Sequence, residues 1–282
     1  MGIDLDIDTT LKSSAISSLV TLIDDYLSSS DKQERKKGIL LSYWLQDYAT
    51  FLNLEDRFDY TKLKRYERGD IIKVHLGYKI GSEHGGLHYC VVLDNNNSIR
   101  SPILTVIPLS SVKGPIDDNK VLEIERYNIW LGNELYIKLL HKQKIMSKYI
   151  LDSCAEASKL QKIYLAEANS FKENILNGKI TNKSEAQEKF SEIKRKCEEE
   201  ENKLAKLENQ ERLLNKVLKE IGRMRQGSIA LVSQITTVSK IRIYDPKTSI
   251  DVLSGIKLSP GNLDKINEKV EKLFIYKKCN KK

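Results

Sequence analysis

The chain is poor in the residues that would tie it to a secreted or membrane-bound life. Its four cysteines (Cys90, Cys154, Cys197 and Cys279) include no CxxC pair and no regular spacing. A disulfide framework or a zinc finger is therefore not expected, and the pattern suits a reducing compartment. No apolar run approaches 18 residues, which argues against a membrane-spanning helix. The opening MGIDLDIDTTLKSS has neither a basic segment nor an apolar one, so it does not read as a secretory signal, and a cytoplasmic location is expected. Aromatic residues make up 7% of the 282 residues, mostly as the 13 tyrosines, too few for one large core. Charge, by contrast, is plentiful: 30% of residues are Asp, Glu, Lys or Arg, with a formal net charge of +8. That balance suits long solvated helices and permits an anionic partner such as nucleic acid.

Residues 1–60 read as a helical extension. The first helix starts near Thr10 and carries Ala15, Leu19, Leu22, Ile23 and Leu27 at helical spacing. The SSSD cluster at 28–31 ends it and caps a second helix over 32–53, which presents Ile39, Leu40, Trp44, Tyr48 and Leu52. Trp44 is expected to anchor a core or an interface. The apolar faces of both helices need cover from the β region or from a second subunit.

Residues 61–131 change character. Ile71–Leu76 is a β-rich run, Gly77–Gly86 a loop with glycines, Tyr89–Leu93 a short apolar strand, Asp94–Ser98 turn chemistry, and Ile103–Leu109 a third strand ending in Ser110 and Ser111. Glycines in the loop allow positive φ and close backbone approach. Lys120–Glu125 is a further strand candidate, and Tyr127–Leu131 a turn or short strand. His84 and His88, four apart beside Glu83, form a constellation suited to acid–base work near neutral pH. A zinc site from His84, His88 and Cys90 lacks a fourth ligand, and no metal or cofactor is expected.

Residues 132–222 keep a helical period. Met146, Ile150, Ala157, Leu160, Tyr164, Phe171 and Ile175 mark one helix, and NGKIT at 177–181 breaks it. Ser184 with Gln187 has capping-box spacing for the next. There Ala186, Phe190, Ile193, Cys197, Leu204, Leu207, Leu214, Leu218 and Ile221 repeat in a heptad, interrupted by Glu200 and Glu211. The pair predicts an antiparallel coiled-coil hairpin on the order of 50 Å long, inserted into the β region. Sheet-forming sequence resumes over 223–276, with Ser259 and Pro260 opening a last helix. Residues 277–282 form a basic tail.

Three stretches carry a resemblance. RGDI, GSEHGG and TVIPLSS, in that order, resemble the N-terminal half of the MazF/PemK-like toxins of type II toxin–antitoxin systems. GSIALVSQITTVSKIR at 227–242 is similar to that family's second signature, and LSPGNLDKINEKVEKLF to its last helix. The resemblance implies an α+β fold built on a small, closed SH3-like β-barrel of the CcdB/PemK type, here with an N-terminal helical pair and an inserted hairpin. It implies a homodimer and a metal-independent endoribonuclease that cuts single-stranded RNA. In that reaction the ribose 2′-OH attacks the adjacent phosphate, and a cognate antitoxin holds the enzyme in check.

The family's loop motif ends in Arg-Pro, and that pair falls on His88 and Tyr89, so histidine chemistry at His88, with His84 as partner, replaces the arginine. The family's strand-end hydroxyl falls on Ser110. Catalytic candidates are thus His88, Ser110, Glu83 and His84. Candidate RNA-binding residues are Ser82, Gly85, Gly86, Ser111, Gln234, Thr236, Thr237, Arg100, Lys113 and Arg242, with Lys240 as a further phosphate-positioning group. Arg68 and Asp70 are expected to brace the sheet, and His75 to be structural. Two rival readings share the fold: a catalytically silent module acting through its hairpin, and a CcdB-like gyrase inhibitor, against which the GSEHGG loop argues.

Overall fold

The computed structural model describes residues 5–112, 114–225 and 227–276. Lys113, Cys279 and the basic tail lie outside them. The chain divides into two compact units. One holds the residues up to Leu131, 229–249 and those from Lys257 on; the other holds 132–228 and 250–256. The first is α+β, with an antiparallel sheet and N-terminal helices.

In the first unit, α1 (Leu5–Ser28) and α2 (Lys32–Leu54) form an antiparallel pair. Asp31 caps α2, its side chain accepting the Gln33 N–H at 2.9 Å, as the SSSD cluster predicts. Gly38 of α2 lets the helices touch, since a Cβ there would lie 2.9 Å from Tyr26 Cβ of α1.

The sheet follows: β1 (Ile71–His75), β2 (Leu87–Val92), β3 (Ile103–Ser111), β4 (Ile129–Gly132), β5 (Ser228–Ala230), β6 (Thr236–Ser239) and β7 (Ile243–Asp245). Its order is β4-β5-β3-β2-β1-β7, with β6 also on β3. The pairs β1–β2, β2–β3, β1–β7 and β3–β6 are antiparallel. The expected closed barrel is not formed. The sheet is an open path that ends in β4 and β7, strands of four and three residues that do not pair with each other.

One face of the sheet buries Ile72, Val74, Cys90, Val92, Leu104, Val106, Val238 and Ile243 against Leu63 and Tyr66. Alternation along the strands sends Ile71, Val91 and Ile107, all fully buried, to the other face. Arg68 and Asp70 brace the sheet as expected. Arg68 donates to the Leu93 carbonyl and to Asn267 of α6 (Pro260–Phe274), while Asp70 accepts from Lys64 Nζ at 3.0 Å and the Glu67 N–H at 3.1 Å. The strand expected at Lys120–Glu125 is instead a helix, α3 (Asp118–Ile124). Its cause is a cap, because Asp117 accepts the Lys120 N–H at 2.8 Å and Asp118 sits in the first turn.

The second unit is a helical hairpin of α4 (Glu134–Leu176) and α5 (Lys183–Arg223), about 60 Å long at helical rise. Asn182, rather than Ser184, caps α5, accepting the Ser184 N–H at 2.9 Å. The α4 seam follows the sequence except at its end, where Ile175 is exposed. On α5 the seam is rotated from expectation: Phe190, Cys197, Leu204 and Leu218 are exposed. A neighbouring face of α5 is used instead, with Val217 fully buried on it. Lys189 and Lys196 turn inward to meet Glu167 of α4 at 3.0 and 3.1 Å, and Glu200 follows them into the seam with only 14% of its side chain exposed.

Candidate active site

The loop between β1 and β2 is folded back on itself by two backbone bonds. The Gly86 N–H donates to the Gly77 carbonyl at 2.7 Å, and the Leu76 N–H to the Gly86 carbonyl at 2.8 Å. Gly85 has no room for a side chain, since a Cβ there would lie 2.8 Å from both Gly77 O and Lys79 N. Gly77 and Gly86 take φ of +97° and +90°, which only glycine adopts without strain. The sequence needs GSEHGG here because the backbone must pack on itself.

This folding brings His84 back over the start of β2, so that its ring centroid lies 4.0 Å from that of His88. On β2, His88 sits across from Val74 of β1. On its other side, continuing the Cys90–Pro108 register of β3 by two residues places Ser110 opposite His88. Ser110 and Ser111 belong to β3 itself. The two imidazoles and Ser110 therefore gather at one end of the β2–β3 pair.

Both rings are half-buried and held neutral. His88 is lowered from the ordinary 6.5 to about 4, mainly by burial, then by His84, while the Gly85 and Leu109 carbonyls pull weakly the other way. Burial lowers His84 as well, against the Leu109 carbonyl. His84 Nε2 is buried without a hydrogen-bond partner among the described residues. Two half-buried rings this close disfavour a proton on both at once. Cys90 is no part of this chemistry, because burial pushes its thiol up to about 12. Among the described residues no cluster of three or more His, Cys, Asp or Glu is placed to hold a metal ion.

Other predicted residues take different places. Glu83 is a turn staple, exposed, with Oε2 accepting the Ile80 N–H at 3.1 Å, so it does not face the imidazoles. Gln234, in the tight turn between β5 and β6, clamps the loop: its Oε1 accepts the His84 N–H at 2.6 Å and its Nε2 donates to the Ser82 carbonyl at 3.3 Å. Thr236 and Thr237 are exposed on β6, paired with Val106 and Thr105. Arg100 lies before the start of β3, on the order of 25 Å along the strand from Ser110, and does not join the site. Lys240 is buried and donates to the Ser98 carbonyl at 3.1 Å, which removes it as a phosphate contact.

The sequence reading missed the setting of Arg242. Its Nε donates to the His75 carbonyl at 2.8 Å, and its guanidinium lies 5.5 Å from the ring centroid of Trp44. Trp44 in turn stacks on His75 at 4.6 Å. Nothing in the sequence links α2 to the end of β1, because the contact spans 31 residues of chain without a motif.

Comparison with known families gives a match over part of the chain. Residues 67–131 match the family of PemK-like, MazF-like toxins of type II toxin–antitoxin systems. The match spans β1 to β4 and includes His84, His88 and Ser110, so the resemblance carried by RGDI, GSEHGG and TVIPLSS is borne out. The Gly227–Arg242 stretch and α6 lie outside the matched residues. No curated protein matches the chain. No described helix is long and apolar enough to cross a membrane.

Proposed function

We propose that this protein is a toxin-type endoribonuclease that cuts single-stranded RNA without metal and works through paired histidines. The observation that carries this reading is the approach of His84 and His88 to 4.0 Å beside Ser110, inside a segment that matches a toxin family. Transfer of the 2′-OH proton needs a neutral acceptor, and His88, held neutral down to about pH 4, is one. A bound phosphate raises the proton affinity of the neighbouring ring, so His84 becomes the donor to the leaving 5′-oxygen. Ser110 supplies a hydrogen bond to the phosphoryl oxygens as charge builds on them. The products are a cyclic phosphate and a 5′-OH end. Glu83 has no chemical step in this scheme, as its carboxylate is engaged in the turn.

The family reading also implies a cognate antitoxin, a cytoplasmic setting and a homodimer, and the proposal includes all three. The test is cleavage of a long single-stranded RNA by the purified chain in EDTA, with mapping of 5′-OH ends. Discrete cuts that vanish in His88→Ala and weaken in Ser110→Ala are expected. Intact RNA at high protein concentration overturns the catalytic reading and turns attention to the silent-module alternative.

A further inference from the structure

Helix α2 meets the end of β1 at a small seat. Its two buried residues are Gly38 and Leu41, and Gly38 faces α1 rather than the sheet. The seat is made by Trp44, Asp47 and Phe51, one helical face at steps of three and four. Trp44 stacks on the His75 imidazole at 4.6 Å with the planes 24° apart. Phe51 meets the same imidazole edge-on at 6.4 Å. The Asp47 carboxylate lies 3.5 Å from His75 Nε2, and the Arg242 guanidinium lies against the indole. Gly77 closes the floor, since a Cβ there would sit 3.0 Å from Arg242 Nη2 and 3.5 Å from Trp44 Cζ2.

With Trp44 lifted out, what remains is a slot lined by an imidazole and a guanidinium. Those are two of the planar groups on which proteins stack unpaired bases. Arg242 is fixed by its bond to the His75 carbonyl and so is already aimed. His75 is the β1 residue after Val74, the partner of His88, so the slot lies at the same end of the sheet as the paired imidazoles and on its other face. What α2 brings to the slot is an aromatic plane and an anionic oxygen pair three residues apart, the same two features a nucleotide offers.

Resting on the RNA-cleaving reading above, we propose that the slot lined by His75 and Arg242 is a nucleobase subsite for single-stranded RNA, filled in the resting chain by Trp44 of its own α2. The indole stands in for the base, and the Asp47 carboxylate stands in for the phosphate. RNA enters by displacing α2, which makes the N-terminal helical pair a competitor of the substrate within one molecule.

The test uses the full-length chain and a fluorescently labelled, 2′-O-methylated single-stranded RNA that cannot be cleaved, with binding read by anisotropy. Trp44→Ala is expected to tighten binding roughly tenfold, the scale of one stacking interaction. Asp47→Asn is expected to shift it less in the same direction, and Arg242→Gln to cancel the gain of Trp44→Ala in the double variant. Circular dichroism follows the helical content. Should Trp44→Ala unfold the helical pair, Asp47→Asn, which keeps the indole, decides. Unchanged or weaker binding in both variants overturns the subsite, as does a gain that survives Arg242→Gln. Cleavage of unmodified RNA is assayed in parallel. His88-dependent cutting with no change in affinity sinks the subsite and leaves the enzyme reading standing. Tighter oligonucleotide binding without any cutting supports the subsite and removes the enzyme reading.

Discussion

Gln234 holds His84 in place: its side-chain carbonyl oxygen accepts the His84 backbone N–H at 2.6 Å, across 150 residues of chain. The same amide donates to the Ser82 carbonyl at 3.3 Å. A residue from the turn after β5 therefore sets where the first imidazole sits, although it touches neither ring.

Removing that clamp is expected to separate positioning from folding. Gln234→Ala loses two hydrogen bonds at a partly exposed site, a stability cost of about 1–2 kcal/mol. The turnover rate on RNA should fall far more, roughly 10- to 100-fold, with little change in KM, because His84 is no longer fixed. Gln234→Glu keeps the acceptor for His84 and loses the donor to Ser82, so it should recover part of the rate. Equal rates in the Ala and Glu variants would show that the His84 bond is not what matters.

The paired imidazoles also predict how stability depends on acidity. His88 has a folded value of about 4 against an ordinary 6.5, so the unfolded chain binds the extra proton between those limits. The stabilisation is fully present above about pH 6.5 and is lost as the pH falls towards 4, amounting at most to about 3 kcal/mol. His84 and His75 are lowered too and act in the same direction. Urea unfolding at pH 7.5, 5.5 and 4 should show the loss. His88→Gln should flatten the profile, and an unchanged slope would assign it to other groups.

Glycine at 85 is required by packing and not by dihedral angle. A Cβ at 2.8 Å from backbone atoms of Gly77 and Lys79 cannot be relieved by a rotamer change. Gly85→Ala is expected to cost about 1–3 kcal/mol and to abolish cleavage by displacing His84. Gly81→Ala meets open space and carries only the strain of φ +59°, so about 1 kcal/mol and near-normal cleavage are expected. Thermal unfolding and RNA cleavage of the two variants check the ranking.

In the hairpin, Glu167 faces two lysines of α5. Its carboxyl is held below the usual carboxylate range by hydrogen bonds from Lys189 and Lys196. Glu167→Gln should leave the sheet-bearing unit untouched and speed amide exchange in the distal parts of α4 and α5. Raising the salt to 1 M should reproduce much of that effect in the unaltered chain. Exchange unaffected by either change would mean that apolar contacts alone set the register.

Local elements were legible in the sequence where a few adjacent residues decide them. Asp31 and Pro260 mark helix starts, the strands at Ile71 and Ile103 follow alternation, and the His84–His88 pair follows from a short glycine loop. Features set by distant partners were not. Of the heptad's α5 positions, Ala186, Ile193, Leu207, Leu214 and Ile221 are half-buried as expected, while Phe190, Cys197, Leu204 and Leu218 are exposed. The pairing of Lys189 and Lys196 with Glu167 depends on a residue of the other helix, which the α5 heptad cannot show. Barrel closure depends on the tilt and stagger of all the strands, which no local pattern encodes. The Lys120–Glu125 run looks like a strand until Asp117 is seen to cap it. Gln234 and Trp44 acquire their roles only when chain ends far apart in sequence are brought together.

The late arrival of Gln234 has a consequence for how the molecule is made. On the ribosome the His84 loop and β3 emerge first, and the two long helices are then synthesised before β5, Gln234 and Arg242 exist. During that interval the loop has no clamp and β3 lacks two of its neighbours. The nascent chain therefore carries the paired histidines in an unassembled form until residue 234 has been made. A chain that stops anywhere before residue 234 leaves them without the amide that orders them.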